Sequence, residues 1–274
     1  MCYDKGMAYL YETHLHTCRS SGCASARGQD YIPYYRDAGY SGIAVTDHFY
    51  RGNCAVDRDL PWREWVKEFC RGFEETQEEG ARRGLDVFFG WEETFEGDDY
   101  LVYGLDKAWL LEHPEARSWT RADQYRAVRA AGGCVVHAHP FRQHSYIRRV
   151  CLAPSLIDAV EVANAGNREQ YYDALALRYA VKLGLPLSAG SDIHHLDQAE
   201  LGDLYGVYLE EKPENSSAFA AMLRNGGNRG PAGLKTAAGR LESRGDEAIG
   251  LPVKIMDRNE ALISRDFWDF LEQG

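Results

Sequence analysis

The sequence predicts an α/β fold with a mainly parallel sheet, and three observations carry that prediction. Short apolar runs alternate with helical stretches from about residue 8 to residue 208, the pattern of strand–helix units. Several runs, such as Gly42 to Thr46 (GIAVT), are apolar throughout, as strands buried on both faces are. No repeat or low-complexity tract interrupts the alternation. The sheet can close into a barrel or stay open and doubly wound. No GxGxxG follows the first strand, which lowers the dinucleotide-binding reading.

The elements follow in order. Ala8 to Tyr11 reads as a strand, followed by a polar loop rich in Ser, Gly and Cys. Gln29 to Ala38 reads as a helix stopped by Gly39, and Gly42 to Thr46 as the second strand. Pro61 to Arg83 reads as one long helix, with Pro61 in its first turn and Gly84 just past its end. Strands are expected at Leu85 to Phe89, Tyr100 to Tyr103, Cys134 to His137, Ile157 to Val162, Leu185 to Ser188 and Leu204 to Tyr208. Helices are expected at Ala122 to Ala131 and Gln170 to Leu183. Asn225 to Gly230 reads as a loop, and Arg224 to Arg244 as basic and Gly-rich. The expected organisation is a barrel domain over 1–210 and a C-terminal extension, packed on it, over 211–274.

Composition narrows the function. Lys and Arg number 31 against 42 Asp and Glu, a net charge of -11, and no basic stripe suits a long nucleic-acid duplex. A small substrate suits this balance better than a long polyanion. No window of eighteen apolar residues is present, so no membrane span is expected, and Met1 to Leu10 lacks the apolar core of a secretory leader. Seven cysteines without a CxxC pair read as the reduced thiols of a cytoplasmic protein.

The histidines carry the chemistry. Five of the nine fall at the ends of predicted strands, beside carboxylates: His14 and His16 in HxH, Asp47 and His48 in TDH, His139 in HAHP, and Asp192 and His194 in GSDIH. Glu92 follows the third strand in GWE. In HxH on extended chain both rings point to one face. Imidazole with carboxylate suits Zn, Mn or Fe. Several strands deliver one or two ligands each, so the pattern is not a local zinc finger. A chance HxH is expected about 0.3 times with this many histidines, so the ordered series carries the reading, not any one motif.

That series, HxH, TDH, GxE, AHP and GSDxH, resembles the PHP (polymerase and histidinol phosphatase) superfamily over roughly residues 10 to 210. The chain looks most like its stand-alone histidinol-phosphatase-like members. The resemblance implies a distorted (β/α)7 barrel with two or three divalent ions (Zn, Mn or Fe) at the C-terminal end of the strands. It implies that His14 and His16 bind a first ion with Asp192, that Glu92 bridges to a second held by His139, and that His48 and His194 bind a third. Asp47 would sit beside them, as ligand or support, and is the catalytic candidate. A hydroxide held by the ions would attack phosphorus.

Two departures stand out. The segment Asp99 to Gly104 lacks a His that the family often carries, and Cys18 to Cys23 lacks a His or Asp. The second and third ions are then each short of one donor, to be made up by water, Asp99, Cys18 or Cys23, or fewer than three ions bind. Arg142, His137 and Arg19 are the candidate substrate contacts; a surface Arg and a hydrogen-bonded core His are the plainer alternatives. Asn164 reads as pocket-lining or as a turn residue. Trp91 is the best candidate for stacking on a substrate ring.

The expected function is hydrolysis of a small phosphomonoester, such as histidinol phosphate or a nucleotide-like ester. The alternatives are a phosphodiesterase or exonuclease on short nucleic acid, an amidohydrolase, and a degenerate, non-catalytic metal-binding module. The sequence leaves the oligomeric state open.

Overall fold

The structure, a computed structural model, describes residues 8–169, 171–202, 204–232 and 249–273. Its strands are β1 (Tyr9–Leu15), β2 (Gly42–Val45), β3 (Asp86–Phe95), β4 (Asp98–Tyr103), β5 (Cys134–Ala138), β6 (Val150–Leu152), β7 (Ala159–Asn164), β8 (Leu187–Gly190), β9 (Gly206–Leu209), β10 (Asn228–Ala232), β11 (Val253–Met256) and β12 (Leu262–Ser264). The helices are α1 (Gly28–Asp37), α2 (Trp62–Phe69), α3 (Arg71–Arg83), α4 (Lys107–Glu112), α5 (Arg121–Ala130), α6 (Tyr171–Lys182), α7 (Leu196–Glu200), α8 (Ser216–Arg224) and α9 (Phe267–Gln273).

Nine strands form one sheet in the order β10-β9-β1-β2-β3-β4-β5-β7-β8. β1, β2 and β3 pair in parallel, as do β5, β7 and β8. β4 lies antiparallel to both β3 and β5. Beyond β8 the chain returns to the first strand. Asp192 N–H donates to the His14 carbonyl at 2.9 Å, and His16 N–H to the Ile193 carbonyl at 3.0 Å. The sheet is thus a nearly closed, distorted barrel, as expected, and the seam lies at its C-terminal end. Gly190 permits the close approach: a Cβ there would stand 2.4 Å from His14 Cβ.

The interior is filled from the opposite end. Phe88 stacks on Tyr11 and on Phe219, which meet each other at a tilt, joined by Leu101, Val136 and Leu223. Helices cover the outside, with Trp65, Phe69, Tyr100 and Val135 in the largest cluster.

Several expectations change. The long helix over 61–83 is two helices meeting at Cys70, because the Phe69 carbonyl accepts a hydrogen bond from the Ser20 hydroxyl at 2.7 Å. The third strand runs past the expected Phe89 to Phe95 and turns back at Glu96 and Gly97, both with positive φ, so it forms an antiparallel hairpin with β4 inside the mainly parallel sheet. Asn225 to Gly230 is not wholly loop, since β10 begins at Asn228 and pairs with β9. Residues 233–244 of the basic, Gly-rich stretch lie outside the described residues. After residue 210, α8 supplies Phe219 to the barrel interior, and β11 pairs with β6 in a separate three-stranded sheet.

Candidate metal centre

The centre begins with a register shift in β1. Tyr11 and Leu15 would share a face in a regular strand, yet Tyr11 packs inside the barrel and Leu15 against the outer helices. The shift lies between Glu12 and Leu15, and such an irregularity re-aims the side chains that follow it. His14 and His16 both turn inward, with their Nε2 atoms 3.1 Å apart. Glu12, buried at the shift, accepts from the backbone N–H groups of Thr13, His14 and Ser191 and from the hydroxyls of Tyr35 and Ser191. Burial pushes its carboxyl up to about 7 against those donors.

The other donors arrive from neighbouring strand ends. His14 Nε2 lies 3.2 Å from Glu92 Oε1 and 3.3 Å from Asp192 Oδ1. His16 Nε2 lies 3.3 Å from Asp192 Oδ1 and 3.5 Å from Glu92 Oε2. Glu92 stands in the middle: Oε1 also lies 3.3 Å from His139 Nε2, and Oε2 2.8 Å from His48 Nδ1. The His194 ring stacks on His16 at 4.2 Å. Asp192 and His139 both hold positive φ, 53° and 29°, a conformation that non-glycine residues adopt mainly where surroundings impose it.

Outer partners fix which nitrogen faces the centre. His14 Nδ1 donates to Glu161 Oε1 at 3.0 Å, so in the neutral ring that an ion would bind, Nε2 carries the lone pair. The Ser21 hydroxyl donates to Asp47 and accepts from the His48 N–H, which leaves one lone pair for His16 Nδ1–H at 3.0 Å. His194 Nδ1 donates to the Asp192 carbonyl at 2.8 Å.

Charge is balanced within the cluster. Burial opposes protonation of His14, but Asp192, Glu161 and Glu92 hold its pKa well above the ordinary value. Burial, with His194 and His48 beside it, holds His16 well below. Glu92 and Asp192 stay well below the usual carboxylate range despite burial, through His14 and His48 for the first and His14 and Arg142 for the second. For Cys23, burial works upward but His194 and His48 prevail, and the thiol falls to about 6.

The donors fit a metal. Three groups have ligand atoms within 4.8 Å of one another: His14, His16 and Asp192; His14, Glu92 and His139; His16, His48 and His194. Ligands about 2.0–2.2 Å from one ion lie roughly 3–3.5 Å apart, as the atoms around His14 and His16 do. Glu92 is 1% exposed, and the groups facing its two oxygens are imidazole nitrogens. A buried carboxylate is costly unless its charge is paired, and a cation shared with those rings would pair it.

The remaining sequence candidates fall in different places. Arg142 lines the cavity above the donors and is largely engaged, donating to Asp192 Oδ2 at 2.7 Å, Asn164 at 2.7 Å and Asn167 at 2.9 Å. Asp47 does not line the cavity; it accepts from Thr17 N–H, Thr17 Oγ1 and Ser21 Oγ, and so positions the loop behind His16 rather than touching a reacting atom. Arg19 points away and pairs with Glu75 at 2.7 Å, 41% exposed. His137 stacks on Tyr100 at 4.7 Å, fully buried, outside the donor cluster. Regular alternation would place it with His139, but β5 ends at Ala138 and the positive φ of His139 breaks the alternation. Trp91 is 1% exposed, packed against Phe49 and Trp109, and is core. Asn164 is buried and links Glu161 to Arg142.

Sequence reasoning missed Glu161 and Glu12. Both are single carboxylates in apolar strand runs, YLYETHL and AVEVAN, and a charge at a wholly buried strand position was the available signal. Asp99, with Oδ2 3.9 Å from His139 Nε2, and Cys23 both line the cavity.

The sequence matches no family profile and no curated protein. Among solved structures the fold is similar to that of a two-domain protein from Bacteroides vulgatus containing a predicted PHP-like metal-dependent phosphoesterase. The TM-score is 0.61 at 18% identity, over 82% of this chain and 65% of that one. The chain therefore spans just under two thirds of that protein. A protein from Bifidobacterium adolescentis, provisionally assigned as a metal-dependent phosphoesterase, gives a TM-score of 0.47 at 17% identity, over 67% of this chain and 87% of that one. At these identities the likeness is one of fold.

Proposed function

We propose that this chain is a metal-dependent phosphoesterase acting on a small phosphomonoester. The observation that carries the reading is the central place of Glu92, whose two oxygens face different histidine pairs, His14 with His139 and His16 with His48. A carboxylate so placed can serve two ions at once. In this reading His14, His16 and Asp192 hold the first ion, Glu92 and His139 the second, and His48 and His194 a third. Nitrogen and oxygen donors suit Zn, Mn or Fe. When bound, such ions clamp phosphate oxygens and acidify a water to near neutrality.

The chain's own residues supply the rest. Glu161 and Ser21 keep the ring nitrogens of His14 and His16 turned to the centre. Arg142 holds Asp192 and keeps two of its five N–H groups for a phosphate oxygen. The cavity, about 440 Å³, is lined by Arg51 and Arg142 and suits a small ester. A monoester is favoured over a diester because Arg142, which lines the cavity and pairs with Asp192, has N–H groups to spare for a terminal phosphate, where the charge is greatest. Histidinol phosphate and nucleotide-like monoesters belong to this class. Among the described residues lining the cavity none is lysine, so a carboxylated lysine of the amidohydrolase kind has no support there. The six described cysteines are unpaired, in keeping with a cytoplasmic protein. Among the described residues no helix is long and apolar enough to cross a membrane.

Phosphate release from a panel of phosphomonoesters and their methyl diesters, with Mn or Zn supplied, tests the substrate class. Monoesters should be turned over with kcat/KM at least tenfold above their diesters. A preference for diesters overturns the monoester assignment.

A further inference from the structure

Arg142 lines the cavity, and a turn of the chain is folded around its guanidinium. Asn164 closes β7, and Asn167 N–H donates back to the Asn164 carbonyl at 3.1 Å. The side-chain amides of that turn hold two of the guanidinium nitrogens. Asn167 Oδ1 accepts from Nε at 2.9 Å, and Asn164 Oδ1 from Nη2 at 2.7 Å. Gly166 lies between them, its N–H donating to Asn164 Oδ1 at 2.8 Å. A Cβ there would stand 3.1 Å from both Arg142 Nη2 and Asp192 Oδ2, so glycine lets the turn close on that pair.

Each amide is in turn oriented by a carboxylate. Asn164 Nδ2 donates to Glu161 Oε2 at 2.8 Å. Asn167 Nδ2 donates at 2.7 Å to Oδ1 of Asp173, in the first turn of α6. A flipped amide would set its NH2 against the guanidinium and its oxygen against the carboxylate, so both orientations are fixed. Glu161 also accepts from His14 Nδ1 and from the His139 N–H, and Arg142 Nη1 reaches Asp192 Oδ2 at 2.7 Å. One network therefore ties the guanidinium to three residues of the donor cluster and, through Asn167, to α6. It leaves one N–H uncommitted on each of Nη1 and Nη2.

We infer that Asn164, Asn167 and Asp173 are positioning residues for phosphate, fixing the Arg142 fork before substrate arrives. The inference rests on the phosphoesterase reading above and adds the residues that set its preference for a dianion. An arginine held in advance loses less freedom when it grips a ligand. Its planar fork matches two oxygens of a terminal phosphate. A diester phosphate carries less charge and has fewer free oxygens, so it gains less from the same fork.

Binding of inorganic phosphate to the whole chain loaded with Mn, followed by calorimetry, tests this apart from turnover. Wild type should bind phosphate, and Arg142→Met and Asn167→Ala should each weaken binding about tenfold with the metal content unchanged. Asn167→Asp combined with Asp173→Asn reverses the bond between those two positions and keeps an acceptor for Arg142 Nε. That double variant should recover wild-type binding. With esters, Asn167→Ala should raise KM for a monoester more than for its methyl diester, and the double variant should restore the difference. Phosphate binding weakened by Arg142→Met but not by Asn167→Ala overturns the inference alone, as does a folded double variant that recovers nothing. Binding that Arg142→Met leaves unchanged overturns it together with the phosphate contact given to Arg142. A wild type that takes up no metal or binds no phosphate overturns it together with the phosphoesterase reading. The expected pattern in a chain that hydrolyses no ester supports the inference while the functional reading fails.

Discussion

His14 and His16 each offer the centre a single nitrogen because the other is held from behind, by Glu161 in one case and Ser21 in the other. Outer partners of this kind typically govern metal affinity by 10–100-fold. Glu161→Gln keeps the shape but breaks the charge-assisted bond to His14. It should weaken binding of the ion beside His14 by about that factor, measured by competition with a chelator; unchanged affinity would show that Glu161 does not position His14. The ligand-type residues were legible because HxH, TDH, GxE, AHP and GSDxH place imidazole and carboxylate at strand ends. Their supports were not. Glu161 and Glu12 sit inside runs that read as buried strand, and only the folded contacts show what they hold. Arg19 and His137 misled for opposite reasons: a flexible side chain found Glu75 at the surface, and a strand ended one residue too soon for alternation to hold.

At the level of elements, the centre depends on how β1 is bent and how the barrel is closed. The register shift in β1 and the seam between β1 and the chain after β8 meet at His14. Gly190 is the contact point, so Gly190→Ala should push a methyl group into the strand that carries His14. Overpacking of this kind costs about 1–3 kcal/mol. A lower Tm and faster loss of metal on dialysis are expected together. A variant that keeps both would mean the seam yields without moving His14. Most parallel strands were legible from their apolar runs. The hairpin of β3 and β4 was not, because an apolar run carries no sign of direction, and its turn at Glu96 and Gly97 lacks a strong turn dipeptide. The split between α2 and α3 was hidden for another reason: its cause, Ser20, lies 49 residues away from Phe69.

At the scale of the whole molecule, the barrel is plugged at one end by Tyr11, Phe88 and Phe219 and carries its charge at the other. Buried carboxylates outside the centre add a pH dependence. Burial raises Asp98 to about 8, against 3.8 for an ordinary Asp, though the Cys151 N–H donates to it. Between those values the folded chain holds a proton that the unfolded chain has lost. The stability from this group is therefore full at acid pH and falls as pH rises toward 8. Asp98→Asn should flatten the decline of Tm in metal-free protein between about pH 5 and 8 by at most ~1.4 kcal/mol per pH unit. An equally steep decline in the variant would mean that Asp98 is already ionised in the fold.

The central claim is that the converging strand ends form a metal centre that hydrolyses phosphate esters. Its most direct test is phosphate release by metal-stripped protein as Mn or Zn is added back, beside a His14→Ala, Asp192→Asn double variant. The account predicts turnover that rises with bound metal in the wild type and is absent in the folded variant. Wild type carrying its full complement of metal and releasing phosphate from no ester would contradict it.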